Sequence, residues 1–385
     1  MIVRLLLALT LLAVSLPATV SAADPVEVSV ILPTTGSVAL VGQSAMTALT
    51  VLADNVNKSG GINGRPIKFV FNDDQSNPAI AVQLLNRIIA SNAPIVLGSN
   101  LSATCSAIAP LVKNGPVDLC FSPGIHPDDG SFVFSPAPST LDIATVAARY
   151  AHKRGWKKMA FIYSTDGSGI DGEKVINAAW QTQAKDIAMV DVEHFGVTDL
   201  SVSAQIARIK AAQPDALYVW ASGTPAATVL RAIGDGGLDV PILASYSNAT
   251  NAQMTAMKSY LPKELLMAGL PTMVPADQLA RGRLRAQVDA YYKSFKAAGV
   301  RPDVLDTTPW DAGLLVVEAL RKLGPSATAA QVREYLAGLR GFTGVTGTFD
   351  FKAIPQRGVD WKSSLLMTRW DAAKETFVAA GPIGG

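Results

Sequence analysis

The feature that most constrains this chain is a sustained alternation of short apolar runs with amphipathic stretches, from Val26 to Ser245. Apolar runs at 26–32, 67–71, 94–97, 117–121, 158–163, 187–193, 216–220 and 242–245 read as strands. Segments with apolar residues three and four apart, at 42–58, 78–90, 103–113, 141–153, 172–184, 201–212 and 225–234, read as the helices between them. A strand that is apolar on both faces needs cover on both. A helix between two such strands supplies it and carries the chain back for a parallel neighbour. The pattern predicts an α/β fold of two doubly wound parallel-sheet lobes. Past Met267 the alternation stops: helices are expected at 277–298, 309–323 and 329–339, and closing hairpin strands at 344–351, 364–370 and 376–379.

Residues 1–23 read as a unit apart. Arg4 precedes an apolar run over 5–16, Pro17 breaks it, and small residues around Ala22 and Ala23 follow, the pattern of a cleavable secretory leader. The run falls short of the about 20 residues needed to span a bilayer. No cysteine stands beside the cleavage site to be lipidated, so a free exported protein is expected. In an oxidising compartment the two cysteines, Cys105 near the start of a helix and Cys120 in the next strand, are candidates for a disulfide. The alternative is a pair of buried apolar thiols. A net charge of +2 lacks the basic excess of a nucleic-acid binder, and three histidines leave little for a metal, so neither nucleic acid, metal nor cofactor is expected.

Two motifs bear on family. Asn57-Lys58-Ser59-Gly60-Gly61-Ile62-Asn63-Gly64-Arg65-Pro66 ends a helix and turns tightly into a strand, and Asn72-Asp73-Asp74-Gln75-Ser76-Asn77-Pro78 follows that strand. Together they resemble the amino-terminal signature of type I periplasmic solute-binding proteins of ABC transporters, in the leucine/isoleucine/valine-binding branch. The resemblance extends through Leu32-Pro33-Thr34-Thr35-Gly36, Ser122-Pro123-Gly124, Pro309-Trp310-Asp311-Ala312 and the glycine-rich stretch from Gly341 to Gly347. It implies two lobes joined by three crossings, closing by a hinge on a solute held between them. The expected division is 24–137 with 272–345 for one lobe and 138–271 with 346–385 for the other.

The resemblance also implies a site. Ser102, with Ala103 and Thr104, matches the position that holds a ligand carboxylate, and Ser102 reads as the N-cap of the following helix. Gly124 and His126 stand where the family offers a carbonyl and a Thr hydroxyl, and Ser168 where it has a tyrosine. Tyr246 matches the acidic residue that receives a ligand ammonium. A buried ammonium without a counter-charge is costly, so this departure disfavours an α-amino acid. Trp220, Ser222, Tyr246 and Trp310, with Phe121, are expected to line an aromatic pocket.

Catalytic signals are weak. Gly167-Ser168-Gly169-Ile170-Asp171-Gly172 matches a dinucleotide fingerprint, but Ser164-Thr165-Asp166 separates it from its strand. No nucleophile elbow, zinc-protease helix or phosphate loop occurs, and His126, His152 and His194 are scattered. Adjacent Asp73 and Asp74 on a strand face opposite ways and form no acid/base couple. The expectation is a monomeric periplasmic binding protein, not an enzyme, that captures a small and preferably aromatic carboxylate for the membrane subunits of an importer. A branched-chain amino-acid or amide binder is the alternative within the class, and a secreted enzyme the alternative outside it.

Overall fold

The computed structural model describes residues 24–385, and the expected leader lies outside the described residues. Five strands, β1 (Val26–Leu32), β2 (Ile67–Asp73), β3 (Ile95–Leu97), β4 (Val117–Leu119) and β5 (Val133–Phe134), form an all-parallel sheet in the order β2, β1, β3, β4, β5. α1 (Ala39–Lys58) buries Ala45, Ala48, Leu49, Leu52 and Val56, a stripe spaced by three and four, on one face. α2 (Pro78–Ala90) starts at Asn77, whose side chain accepts from the Ala79 amide at 2.9 Å, with Pro78 in the first turn. With α3 (Ser102–Ile108) it covers the other face, packing Leu84, Leu85, Ile88 and Ile108 on Ile31, Val96 and Val133. The strand at Val133–Phe134 was not expected; two residues carry no period.

The second sheet repeats this order. β6 (Lys158–Ser164), β7 (Ala188–Phe195), β8 (Ala216–Trp220), β9 (Ile242–Ala244) and β10 (Leu265–Gly269) lie parallel as β7, β6, β8, β9, β10. Helices α4 (Thr140–Lys153), α5 (Gly167–Gln183), α6 (Ser203–Ala211), α7 (Thr224–Asp235) and α8 (Asn251–Met257) accompany it. Its core gathers Ile143, Ala147, Phe161, Ile176, Trp180, Tyr218, Val219 and Leu230.

The remaining chain serves both cores. α9 (Arg283–Ala297), α10 (Thr307–Leu323) and α11 (Ala329–Gly338) return to the first sheet, contributing Tyr291, Phe295, Leu315, Val316 and Leu336. The helix expected at 277–298 is shorter, with a separate 3-10 turn at Ala276–Gln278. A two-stranded hairpin, β11 (Arg340–Thr343) and β12 (Thr348–Asp350), replaces the single strand expected at 344–351. Its turn is held by Asp311, which accepts from the Val345 and Thr346 amides at 2.8 and 2.7 Å; a side chain at Gly344 would strike that carboxylate. The lobe boundary expected at 345 is therefore corrected: Phe349, Phe351 and Val359 still pack in the first core. Only after them do α12 (Trp361–Ser364), β13 (Leu366–Asp371) and β14 (Thr376–Ala379) follow, the two strands adding antiparallel to β10.

Candidate ligand-binding cleft

In each sheet the strand order reverses at one place, between β1 and β3 and between β6 and β8. Ligands of open parallel sheets enter outside the carboxyl ends of the strands at such a switch point. Near these points, the segments beyond β3 and β4 are Gly98–Leu101 and Ser122–His126 in the first lobe, and those beyond β6, β8 and β9 are Thr165–Asp166, Ala221–Gly223 and Ser245–Asn248 in the second, the last including a 3-10 turn.

On the first wall, the Ser102 hydroxyl lies 2.6 Å from that of Ser122, which accepts from the Gly124 amide at 3.2 Å. A Cβ on Gly124 would come within 2.6 Å of the Ser102 oxygen, so the close approach of this loop needs glycine. Ser102 is not the N-cap expected from the sequence: Leu101 takes that place, and Ser102 is the first helical residue. Cys105 donates its amide to the Leu101 carbonyl at 2.9 Å, while the amides of Ser102, Ala103 and Thr104 have no acceptor among the described residues. The Thr104 side chain is fully buried and so is no part of the cleft surface. Cys105 and Cys120 are joined by a disulfide, Cα to Cα 6.1 Å, which ties α3 to the end of β4.

On the second wall, Trp220 is 4% exposed and its indole N–H donates to the Ser168 carbonyl at 3.0 Å, with Gly172 leaving room beneath the ring. Trp220 thus braces the start of α5 rather than presenting a free face. Ser222 shares a hydrogen bond of 2.7 Å with Ser247, and Asn248 accepts from the Gly223 amide and donates to the Ala221 carbonyl. Tyr246 is 7% exposed, and its hydroxyl makes no hydrogen bond among the described residues. Burial pushes its pKa up to about 12. Trp310 is corrected to a core residue, edge-on to Tyr291 at 5.2 Å and beside Phe295; Phe121 also lies in the first core.

Two charged groups were missed in the sequence. Asp171, in the second turn of α5, faces His126 of the opposite loop at 3.5 Å, the one pairing of a basic side chain with a carboxylate that joins the two lobes among the described residues. Its other oxygen is buried without a partner. Arg357, just before the chain leaves the first core, is 9% exposed and donates to the carbonyls of Pro123, Ile125 and Ala137. Its pKa is lowered to about 10 by burial, against the opposing pull of Asp142, Tyr246 and Asp171. Nothing local announces either residue: Arg357 stands in a Pro- and Gly-flanked stretch without periodicity, and Asp171 on a helix of ordinary polar pattern.

A family model described as periplasmic binding protein matches residues 25–374. The chain belongs to the periplasmic binding protein family. Among relatives of this binding protein is a leucine-, isoleucine-, valine-, threonine- and alanine-binding protein of Pseudomonas aeruginosa, 24% identical over 313 residues, 79% of this chain and 80% of the relative. Another is a Leu/Ile/Val-binding protein homolog of Brucella melitensis, 27% identical over 240 residues and 60% of each chain. Among solved structures, a branched-chain amino acid binding protein of Streptococcus pneumoniae in complex with isoleucine shares the fold at TM-score 0.75 and 18% identity, covering 93% of this chain and 100% of that one. A Rhodopseudomonas palustris solute-binding protein in complex with 4-hydroxybenzoate does so at TM-score 0.75 and 16% identity, over 93% and 96%.

A periplasmic binding protein of this kind is the ligand-binding component of an ABC transporter. The cleft has the chemistry for binding: free amides and paired hydroxyls on one wall, a phenol on the other, a guanidinium behind. Its one histidine bonds no nucleophilic hydroxyl or thiol among the described residues, and no group of three His, Cys, Asp or Glu side chains is placed to hold a metal there.

Proposed function

We propose that the protein captures a small carboxylate, preferably an aromatic acid such as a benzoate or hydroxycinnamate, between its lobes and delivers it to the membrane subunits of an importer. The observation that carries this reading is Tyr246, a buried ring whose hydroxyl makes no hydrogen bond among the described residues, at the place where the resemblance puts the family's acidic residue that meets an ammonium. On the other wall, the unoccupied amides of Ser102 and Ala103 and the Ser102–Ser122 hydroxyl pair offer donors suited to a carboxylate. Export through a cleaved leader and action as a free periplasmic monomer belong to the same reading. Solved neighbours with benzoate and with 4-hydroxybenzoate lend it support by likeness.

A second reading rests on Asp171. Its partnerless oxygen, 3.5 Å pair to His126 notwithstanding, is a carboxylate in the cleft that an α-ammonium would satisfy. Calorimetric titration with benzoate, 4-hydroxybenzoate, 4-hydroxycinnamate, leucine and phenylalanine separates the two. Under the first reading the aromatic acids bind and leucine does not, and Ser102→Ala weakens them about ten- to a hundredfold through loss of one hydrogen bond to a charged group. Tight leucine binding, abolished by Asp171→Asn, with no response to any aromatic acid would establish the second reading instead.

A further inference from the structure

We propose that Arg357 is the specificity-determining cation of this cleft, selecting anionic solutes over neutral molecules of the same shape; the proposal rests on the reading of the cleft as a carboxylate site. Its geometry is unusual for an arginine. The side chain is more than nine-tenths buried, yet no carboxylate of the described residues lies within ion-pair distance of it. Its terminal nitrogens meet only neutral oxygens: Ala137 O at 2.9 Å, Ser135 Oγ at 3.4 Å, Pro123 O at 3.1 Å and Ile125 O. The Nε–H makes no hydrogen bond among the described residues.

The nearby acids are committed elsewhere. Asp142 takes the Ser139 amide and hydroxyl and the Trp361 amide, capping α4, and Asp171 turns one oxygen to His126. A buried charge whose hydrogen bonds all go to neutral oxygens, with the acids acting on it only from beyond ion-pair distance, is under-compensated, and the depressed pKa of this guanidinium is the same fact seen from the proton's side. An anion brought close supplies what is missing, and a neutral isostere does not.

Position makes the charge matter. Arg357 grips the carbonyls on both sides of Gly124, so it stands directly behind the loop that carries the Ser102–Ser122–Gly124 cluster. It also acts electrostatically on the Tyr246 hydroxyl of the opposite wall. A lysine there keeps the charge but loses the fork that holds both carbonyls, whereas glutamine keeps some hydrogen bonding and loses the charge.

The test compares each acid with its amide: 4-hydroxybenzoate with 4-hydroxybenzamide, and leucine with leucinamide, titrated by calorimetry into wild type, Arg357→Lys, Arg357→Gln and Arg357→Met. Wild type is expected to prefer an acid about ten- to a hundredfold over its amide. Arg357→Lys is expected to weaken both members of a pair while preserving the ratio, and Arg357→Gln to bring the ratio close to one. Arg357→Met removes the charge while keeping an unbranched apolar stem in the buried site, so the ratio should collapse there too, which covers the case of Arg357→Gln failing to fold. Equal losses for acid and amide in Arg357→Gln or Arg357→Met would mean that Arg357 only props the loop and would overturn the proposal alone. A wild type that binds neither acid of the panel overturns the carboxylate reading and the proposal with it.

Discussion

Asp118 sits in the middle of β4, fully buried, and neither of its carboxylate oxygens has a hydrogen-bond partner among the described residues. Glycine at 98 is what makes room for it, since a Cβ there would approach its Oδ1 to 2.5 Å. Burial raises its pKa from 3.8 to about 7. The folded protein therefore keeps a proton that the unfolded chain has released, so the stability is fully present below pH 3.8 and is lost as pH rises toward 7. Asp306 and Asp311, raised to about 7 and about 6, add to the same slope. Melting temperature measured from pH 4 to 8 should fall across this window. Asp118→Asn, which cannot ionise, should flatten the slope and gain on the order of 2–4 kcal/mol at pH 8; an identical slope in the variant would show that the carboxyl stays ionised at low cost. Site residues differed in how far sequence reached them. Ser102, Gly124 and Tyr246 were put forward by the family resemblance, and the structure places all three just beyond strand ends. Trp310 was not, because a helix-borne indole looks the same facing a core or a pocket, and Arg357 was not, because its partners lie more than 200 positions away.

At the scale of elements, most helices and strands were legible because a two-sided apolar strand and a three-four apolar stripe have no other way to be buried. The failures are short or long-range. Val133–Phe134 is too short for a pattern, and the turn between β11 and β12 is set by Asp311 on α10, outside any local window. The Asn57–Pro66 motif is structural in the same sense: the Asn57 side chain bonds both the amide and the carbonyl of Ile67, and Arg321 of α10 donates to the Gly61 carbonyl at 2.9 Å. The disulfide acts at this scale too. It closes a loop of 15 residues, and the double change Cys105→Ser, Cys120→Ser should cost about 3 kcal/mol in denaturant unfolding. Because the bond tethers α3, the same variant should also bind the proposed carboxylate ligand more weakly. Unchanged stability would place the restraint in hydrogen bonds such as Ser102–Ser122 instead.

For the molecule as a whole, the two walls of the candidate cleft belong to different sheets, and His126–Asp171 is the one pairing of a basic side chain with a carboxylate that spans them among the described residues. Solute held by both walls favours the state in which they are close. Small-angle scattering should show a smaller radius of gyration in protein saturated with 4-hydroxybenzoate than in free protein, and superimposable profiles would argue against closure. The interrupted path of the chain has a further consequence, for the order of folding. The parallel sheet of the second lobe is built from one unbroken stretch, Thr140 to Gly269, but the first sheet must wait for α9, α10, α11 and the hairpin, which arrive only between residues 283 and 359. Closing that long loop costs entropy before its contacts repay it. In pulsed hydrogen exchange during refolding, amides of β6 to β10 should be protected before those of β1 to β5. The wall bearing Ser102 is then the last to mature, and solute capture becomes a sign that the final third of the polypeptide has found its place.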